Sequence, residues 1–166
     1  MKHAPAVILG VALIAGAFAA ATAPAATTSS APPCEPKVTT VQGHKEAINC
    51  GPATLTLHVS GKTYIFRQGF CQQSKSANTL LELNLGTSVL GAANNGGKSR
   101  FTLVVTSTHA ASVFSAYYGG KKVLTAESLI NVSGNLPGKG TFTSKVTFGP
   151  KFTGSWDCHG VIWRGP

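Results

Sequence analysis

Two short runs near the middle of the chain alternate between apolar and polar residues, and this period of two limits the possible folds more than any other feature. From Ala53 to Val59, Leu55, Leu57 and Val59 fall on one side and Thr54, Thr56 and His58 on the other. From Lys62 to Gln68, Tyr64 and Phe66 oppose Ile65. Successive side chains of a strand point to opposite faces, so each run reads as a half-buried strand. Ser60-Gly61 lies between them, a two-residue turn ending in glycine, and the pair reads as a β-hairpin. On this reading His58 sits on the Thr54/Thr56 face, turned to solvent.

The pattern continues. Thr79–Leu85, Arg100–Thr106, Ser112–Tyr118, Lys121–Thr125, Ser128–Ser133, Thr141–Phe148 and Phe152–Cys158 are further candidate strands. Gly119-Gly120 marks a second hairpin, and the other turns carry Gly, Asn and Pro. After the first 25 residues no stretch sustains a 3.6-residue period. The expected fold is all-β, about seven to nine short antiparallel strands in a single β-sandwich, with a small β-barrel as the alternative. The sandwich is preferred because the loops are long and no strict repeat occurs.

The N-terminus has a different character. Lys2 and His3 form a short polar start, Ala6–Ala21 is an uncharged apolar run of 16 residues, and Ala23-Pro24-Ala25 fits a small-residue cleavage site. The run is shorter than the roughly 18 residues of a membrane span. It reads as a signal peptide over residues 1–25, cleaved between Ala25 and Ala26, with no transmembrane segment left in the mature chain. Residues 26–36, including the small, proline-bearing stretch Thr27–Pro33, read as a flexible leader. Residues 37–166 are the domain. The 141 residues after Ala25 suffice for one core and would be cramped as two. Asn131-Val132-Ser133 is a glycosylation sequon by pattern.

Charge limits the partners. Without Lys2 the chain has 13 basic residues against 5 acidic ones, a formal charge of +8. Such a balance favours anionic cell-wall or surface polymers as partners, alongside another protein. Lys121-Lys122 is the only adjacent basic pair, so the basic stripe of a specific nucleic-acid binder is missing.

The residues of a hydrolase do not assemble in the sequence. The acids after the leader's start are Glu35, Glu46, Glu82, Glu127 and Asp157, and no two have the spacing of a catalytic pair. No G-x-S-x-G, H-E-x-x-H or phosphate-binding glycine loop occurs. His58, His109 and His159 have no identifiable partners. The expectation is a non-enzyme with no cofactor and no metal.

Two other classes remain. One is a secreted or envelope-associated protein with an antigen-like or protein-interaction role. The other is a module for a small ligand, lipid or glycan, held between the sheets or on an aromatic face. Tyr64, Phe66, Phe70, Tyr117, Tyr118, Phe142, Phe148, Phe152, Trp156 and Trp163 are the candidates for that face, although most are needed for the core. A secreted protease inhibitor ranks below both.

Several motifs carry a resemblance: Gly61-Lys62-Thr63-Tyr64-Ile65-Phe66, Gly69-Phe70-Cys71, Leu83-Asn84-Leu85-Gly86-Thr87 and Gly154-Ser155-Trp156-Asp157-Cys158. Together, from Cys50 to Cys158, they resemble the small exported lipoprotein antigens and lipoprotein-like proteins of actinobacteria, the LpqH-like group. The resemblance implies a single β-sandwich displayed at the cell envelope, with interactions with host proteins in some members. This chain departs from the lipoprotein pattern, since Ala31-Pro32-Pro33 before Cys34 is no lipobox. A freely secreted or loosely wall-held protein is therefore expected.

Four cysteines, Cys34, Cys50, Cys71 and Cys158, remain in an exported chain, and two disulfides are expected. Zinc is disfavoured because no C-x-x-C pair occurs and His159 adjoins Cys158. Two connectivities compete. Around Ser60-Gly61 hairpin partners have numbers summing to 121, so Cys50 and Cys71 face each other if the ladder runs on unbroken, leaving Cys34–Cys158. The resemblance implies Cys71–Cys158 instead, with Cys34–Cys50. A bulge at Gly51-Pro52 or Gly69 would spoil the count, and the second connectivity is preferred because strand continuity to position 50 is the weaker assumption.

Overall fold

Each alternating run of the sequence becomes a strand. The structure, a computed structural model, describes residues 36–74, 78–106, 110–124, 128–145 and 150–164. The chain divides into two units, Met1–Ser30 and Ala31–Pro166, and every described residue belongs to the second. The strands are β1 (Lys37–Val41), β2 (His44–Ile48), β3 (Ala53–Val59), β4 (Lys62–Ser74), β5 (Thr79–Val89), β6 (Arg100–Thr106), β7 (Ala111–Tyr118), β8 (Lys121–Lys122), β9 (Ser128–Asn135), β10 (Lys139–Ser144), β11 (Phe152–Asp157) and β12 (Ile162–Arg164).

The all-β expectation holds, and the architecture is the barrel rather than the sandwich. β3, β4, β5, β6, β7, β9, β10 and β11 pair in that order, each antiparallel to the next. β11 then pairs antiparallel with β3 from Phe152↔Val59 to Asp157↔Thr54, which closes the ring. In a sandwich the strands would divide into two sheets with edges. Alternation puts one face of each strand inward in either case, so the pattern alone could not separate the two.

The remaining strands account for the excess over seven to nine. The β1–β2 hairpin extends from the C-terminal part of β5 through Glu46↔Val89 and Ile48↔Thr87. β12 runs parallel to the C-terminal part of β4. The second hairpin forms at Gly119-Gly120, but β8 ends at Lys122 where the sequence suggested Thr125. Beyond it the chain turns inward and buries Leu124. β10 runs from Lys139 to Ser144, and residues 146–149 of the expected Thr141–Phe148 strand lie outside the described residues.

A bulge decides the disulfides. The β3–β4 ladder obeys the sum of 121 from Val59↔Lys62 to Leu55↔Phe66, then shifts to Ala53↔Gly69. Arg67 and Gln68 face the single residue Thr54, and Gln68 takes the left-handed conformation (φ 60°). Pro52 makes only an isolated bridge to Gly69, so the ladder does not reach Cys50. Cys71 bonds to Cys158 across a Cα–Cα distance of 5.8 Å, both residues fully buried. The Cys50–Cys71 alternative is therefore excluded, and Cys34–Cys158 with it. Cys71–Cys158 is the one disulfide among the described residues; Cys50 is disulfide-bonded too, and Cys34, the other half of the expected Cys34–Cys50 bridge, lies outside the described residues. The proposed signal peptide, the Ala25–Ala26 cleavage site, Glu35, Glu127, His109 and Phe148 likewise lie outside the described residues.

Inward positions fill the lumen. β3 contributes Ala53, Leu55, Leu57 and Val59; β5 Leu81, Leu83 and Leu85; β6 Phe101, Leu103 and Val105. An aromatic chain crosses the interior: Phe66–Phe101 at 5.2 Å between ring centroids, Phe101–Phe142 at 6.1 Å and Phe142–Trp156 at 6.5 Å. Two glycines make room for these rings. A Cβ on Gly140 would collide with the Trp156 indole, and one on Gly154 with the Phe142 ring. Burial of each large apolar side chain contributes about 1.5–3 kcal/mol. The buried end of the indole is satisfied, since Trp156 Nε1 donates to the carbonyl oxygen of Pro137 (3.1 Å) in the turn between β9 and β10, which contains the cis Leu136–Pro137 peptide.

Candidate functional site

With the inward positions spent on the core, functional chemistry falls to the outward ones. On β3, β11, β10 and β9 these positions meet in ranks that run across the strands. One rank is Thr54, Asp157, Lys139 and Asn135, each the register partner of the next. The adjacent rank is Thr56, Ser155, Thr141 and Ser133. At strand spacings near 4.8 Å each rank is about 14 Å long, and the two lie about 7 Å apart.

The ranks line an open groove of about 480 Å³. Gly134 and Gly140, paired across β9 and β10, expose main chain in its floor, and Trp156 lies beneath Gly140 on the barrel side. Ser133, Asn135, Lys139, Thr141 and Ser155 are exposed, and Thr54, Thr56 and Asp157 are half-buried. The hydroxyls and the Asn135 amide each donate and accept hydrogen bonds, Lys139 only donates, and an ionised Asp157 only accepts.

One end of the groove is braced from within the chain. Asp157 Oδ1 accepts the His159 main-chain N–H at 2.7 Å, and His159 Nε2 pairs with Thr54 Oγ1 at 3.2 Å. The carboxylate thus binds the backbone of the turn and not the imidazole. His58 lies further along β3, exposed, with Nδ1 2.9 Å from Thr63 Oγ1. The acids of the described part stand apart: Glu46 on β2, Glu82 on β5 where it accepts from Asn84, and Asp157 on β11. Among the described residues no group of three His, Cys, Asp or Glu side chains is placed to hold a metal ion.

The aromatic residues mostly belong to the core. Phe66, Phe142, Phe152 and Trp156 are buried in the lumen, and Tyr64 packs against them. Tyr117 carries the Arg100 guanidinium over its ring at 4.9 Å. Trp163, 49% exposed on β12, meets Phe70 edge-on at 5.8 Å, the exposed Phe114 lies on β7, and the exposed Tyr118 at the end of β7 packs edge-on against Tyr64 (5.2 Å) and Phe66 (5.5 Å) of β4. Among the described residues these contacts make two small groups, Tyr64 with Tyr118 and Phe70 with Trp163, and none of the four lines the groove. A ligand between two sheets has no counterpart either, because a single closed sheet surrounds a lumen filled with side chains.

The groove itself was missed at the sequence level. Its signal was present as small hydroxyl-bearing residues at alternating positions of the runs at 53–59 and 152–158. What was absent was any sign that β9, β10, β11 and β3 adjoin in that order, since the last of these precedes the first by some 70 residues.

On β3 and β11 the outward faces carry polar residues and the inward faces apolar ones. Among the described residues no helix is long and apolar enough to cross a membrane. No family model matches the chain, and no curated protein or solved structure does so either.

Proposed function

We propose that this chain is a non-enzymatic, exported binding domain that holds a polyhydroxylated ligand, a glycan chain, along the groove of β9, β10, β11 and β3. The observation that carries the reading is the pair of ranks. Eight side chains, six of which both donate and accept, converge on one concave strip with exposed main chain in its floor. A sugar ring offers donors and acceptors around its whole edge, and a surface of alternating hydroxyls matches that better than an apolar pocket does. Each direct hydrogen bond contributes about 0.5–1.5 kcal/mol net, so a usable affinity needs several at once. The groove supplies several, but no activated nucleophile and no pair of facing carboxylates. Export and a loose association with the envelope rest on the apolar N-terminal run and the LpqH-like resemblance.

The experiment is a titration of the ¹⁵N-labelled chain with neutral and acidic polysaccharides. Saturable amide shifts confined to β9, β10, β11 and β3 support the reading. Asp157→Asn keeps an oxygen to accept the His159 N–H and removes the charge. It should weaken binding by about tenfold, or about 1.4 kcal/mol, with little change in stability. Absence of shifts with every polymer tested, or shifts confined to other strands, would count against it.

A second reading has a specific observation of its own. Among the described strands β1 pairs only with β2 and forms one margin of the sheet, with Val38 69% exposed. Such an edge suits a protein partner that adds a strand. Amide shifts on β1 and β2 with a protein ligand, and none in the groove, would favour it.

A further inference from the structure

The groove's surface does not stop at its second rank. One step further along β3 and β11, His58 and Thr153 are register partners, with Thr63 of β4 beside His58. They lead into a second concavity of about 290 Å³ at the turn joining β3 and β4, lined among others by Ser60, Lys62 and Lys151. Ser60 and Gly61 both have positive φ (49° and 73°), the two-residue hairpin turn expected from the sequence. Lys62 lies just beyond the turn. Lys151 precedes Phe152, the residue opposite Val59, and Lys62 and Lys151 both line the notch. Among the described residues no carboxylate lines it.

The chemistry differs from that of the groove. Two lysines, a histidine and three hydroxyls offer hydrogen-bond donors around one small concavity, and two of these groups are ammonium cations. Such a set suits an oxyanion: charge-assisted bonds from ammonium groups to a phosphate, sulfate or carboxylate are roughly twice as strong as neutral ones. His58 is already oriented by Thr63 at 2.9 Å. Along β11 the outward positions run Asp157, Ser155, Thr153, Lys151, a continuous strip of about 20 Å from the acidic end to the basic notch.

We propose that the notch of Lys62, Lys151 and His58 is an oxyanion subsite, and that the ligand in the adjoining groove is an acidic glycan whose charged substituent seats there. The polymeric part of this proposal rests on the reading of the groove given above; the anion subsite stands on its own residues. The chain's formal charge of +9 brings acidic polymers to its surface in general. The notch gives that attraction a place and a direction.

Two arms test it. In the first, inorganic phosphate is titrated into the ¹⁵N-labelled chain at low ionic strength. Saturable shifts at Ser60–Thr63 and Thr153 are expected, and their loss in Lys62→Gln/Lys151→Gln, whose substituted side chains are exposed. In the second, an acidic polysaccharide and its neutral counterpart of the same backbone are compared. The wild-type chain should bind the acidic form by about tenfold more, a difference of about 1.4 kcal/mol, and the double variant should bind both at the neutral level. The preference should fade toward about 1 M salt, where the Debye length is about 3 Å. Equal binding of both polymers, or a preference that survives the double substitution, overturns the notch and leaves the groove standing. Phosphate shifts at the notch with no polymer shifting the groove sustain the subsite and overturn the groove reading. Absence of both overturns both.

Discussion

On β3, β11 and β10 the inward positions hold Leu55, Leu57, Phe152, Trp156 and Phe142, while the outward positions between them hold Thr56, Ser155 and Thr141. The same strands thus present two different surfaces. Inside, shape is settled by rings filling the spaces beside Gly140 and Gly154, and little volume is left for a ligand. Outside, the side chains are small and polar, and they line a concave strip with main chain of Gly134 and Gly140 in its floor. The contrast places the packed core in the lumen, and the proposed recognition would fall to the outer face. Most of the described aromatic residues serve the core.

Substitutions can break this division at points of decreasing weight. The largest effect is expected at Phe142, fully buried and in contact with Phe101, Phe152 and Trp156. Phe142→Ala should cost about 3–5 kcal/mol in denaturant unfolding, since the aromatic chain leaves a cavity that its neighbours cannot close. Next comes the bond that ties β4 to the end of β11. Replacing Cys71 and Cys158 together with Ala should cost about 2–5 kcal/mol, with greater proteolytic nicking near β12. A loss under about 1 kcal/mol would mean that the packed lumen alone holds these ends.

Gly140→Ala is the sharpest probe, because it strikes both surfaces at once. The new methyl would meet the Trp156 indole and the main-chain oxygen of Ser133. Overpacking should lower stability by about 1–3 kcal/mol and displace the groove floor, so stability and binding should fall together. The smallest stability effect belongs to Thr141→Val, an exposed outward position. Its stability should stay within about 0.5 kcal/mol of wild type. Its affinity for a groove ligand should drop severalfold through loss of one hydroxyl, about 0.5–1.5 kcal/mol. Unfolding curves that move as much for Thr141→Val as for Gly140→Ala would erase the distinction between the two faces.

Much of this was legible beforehand, for local reasons. Ala53–Val59 and Lys62–Gln68 declared a hairpin through their alternation and the Ser60-Gly61 turn, and the observed register follows from that turn as far as Leu55↔Phe66. Beyond it Gln68 takes a conformation that a non-glycine residue rarely adopts, and no local propensity announces it. That one extra residue moves the register away from Cys50, so a bulge decided between two disulfide patterns that counting left open. β12 was invisible because three residues are too few to show a period. β8 broke off early because Leu124 does more for stability buried in the core than as part of an exposed hairpin arm.

Residue patterns alone determined that this is a β protein of short antiparallel strands, which positions face inward, and where the tight turns lie. These follow from interactions between residues close in sequence, which the alternation records directly. Tertiary structure alone decided that the sheet closes through the pairing of β11 with β3, and that Thr54, Thr56, Ser133, Asn135, Lys139, Thr141, Ser155 and Asp157 share one groove. Inward and outward alternation is identical in an open sandwich and a closed barrel. Closure depends on the twist and bulges accumulated over eight strands, and no window of sequence contains that sum.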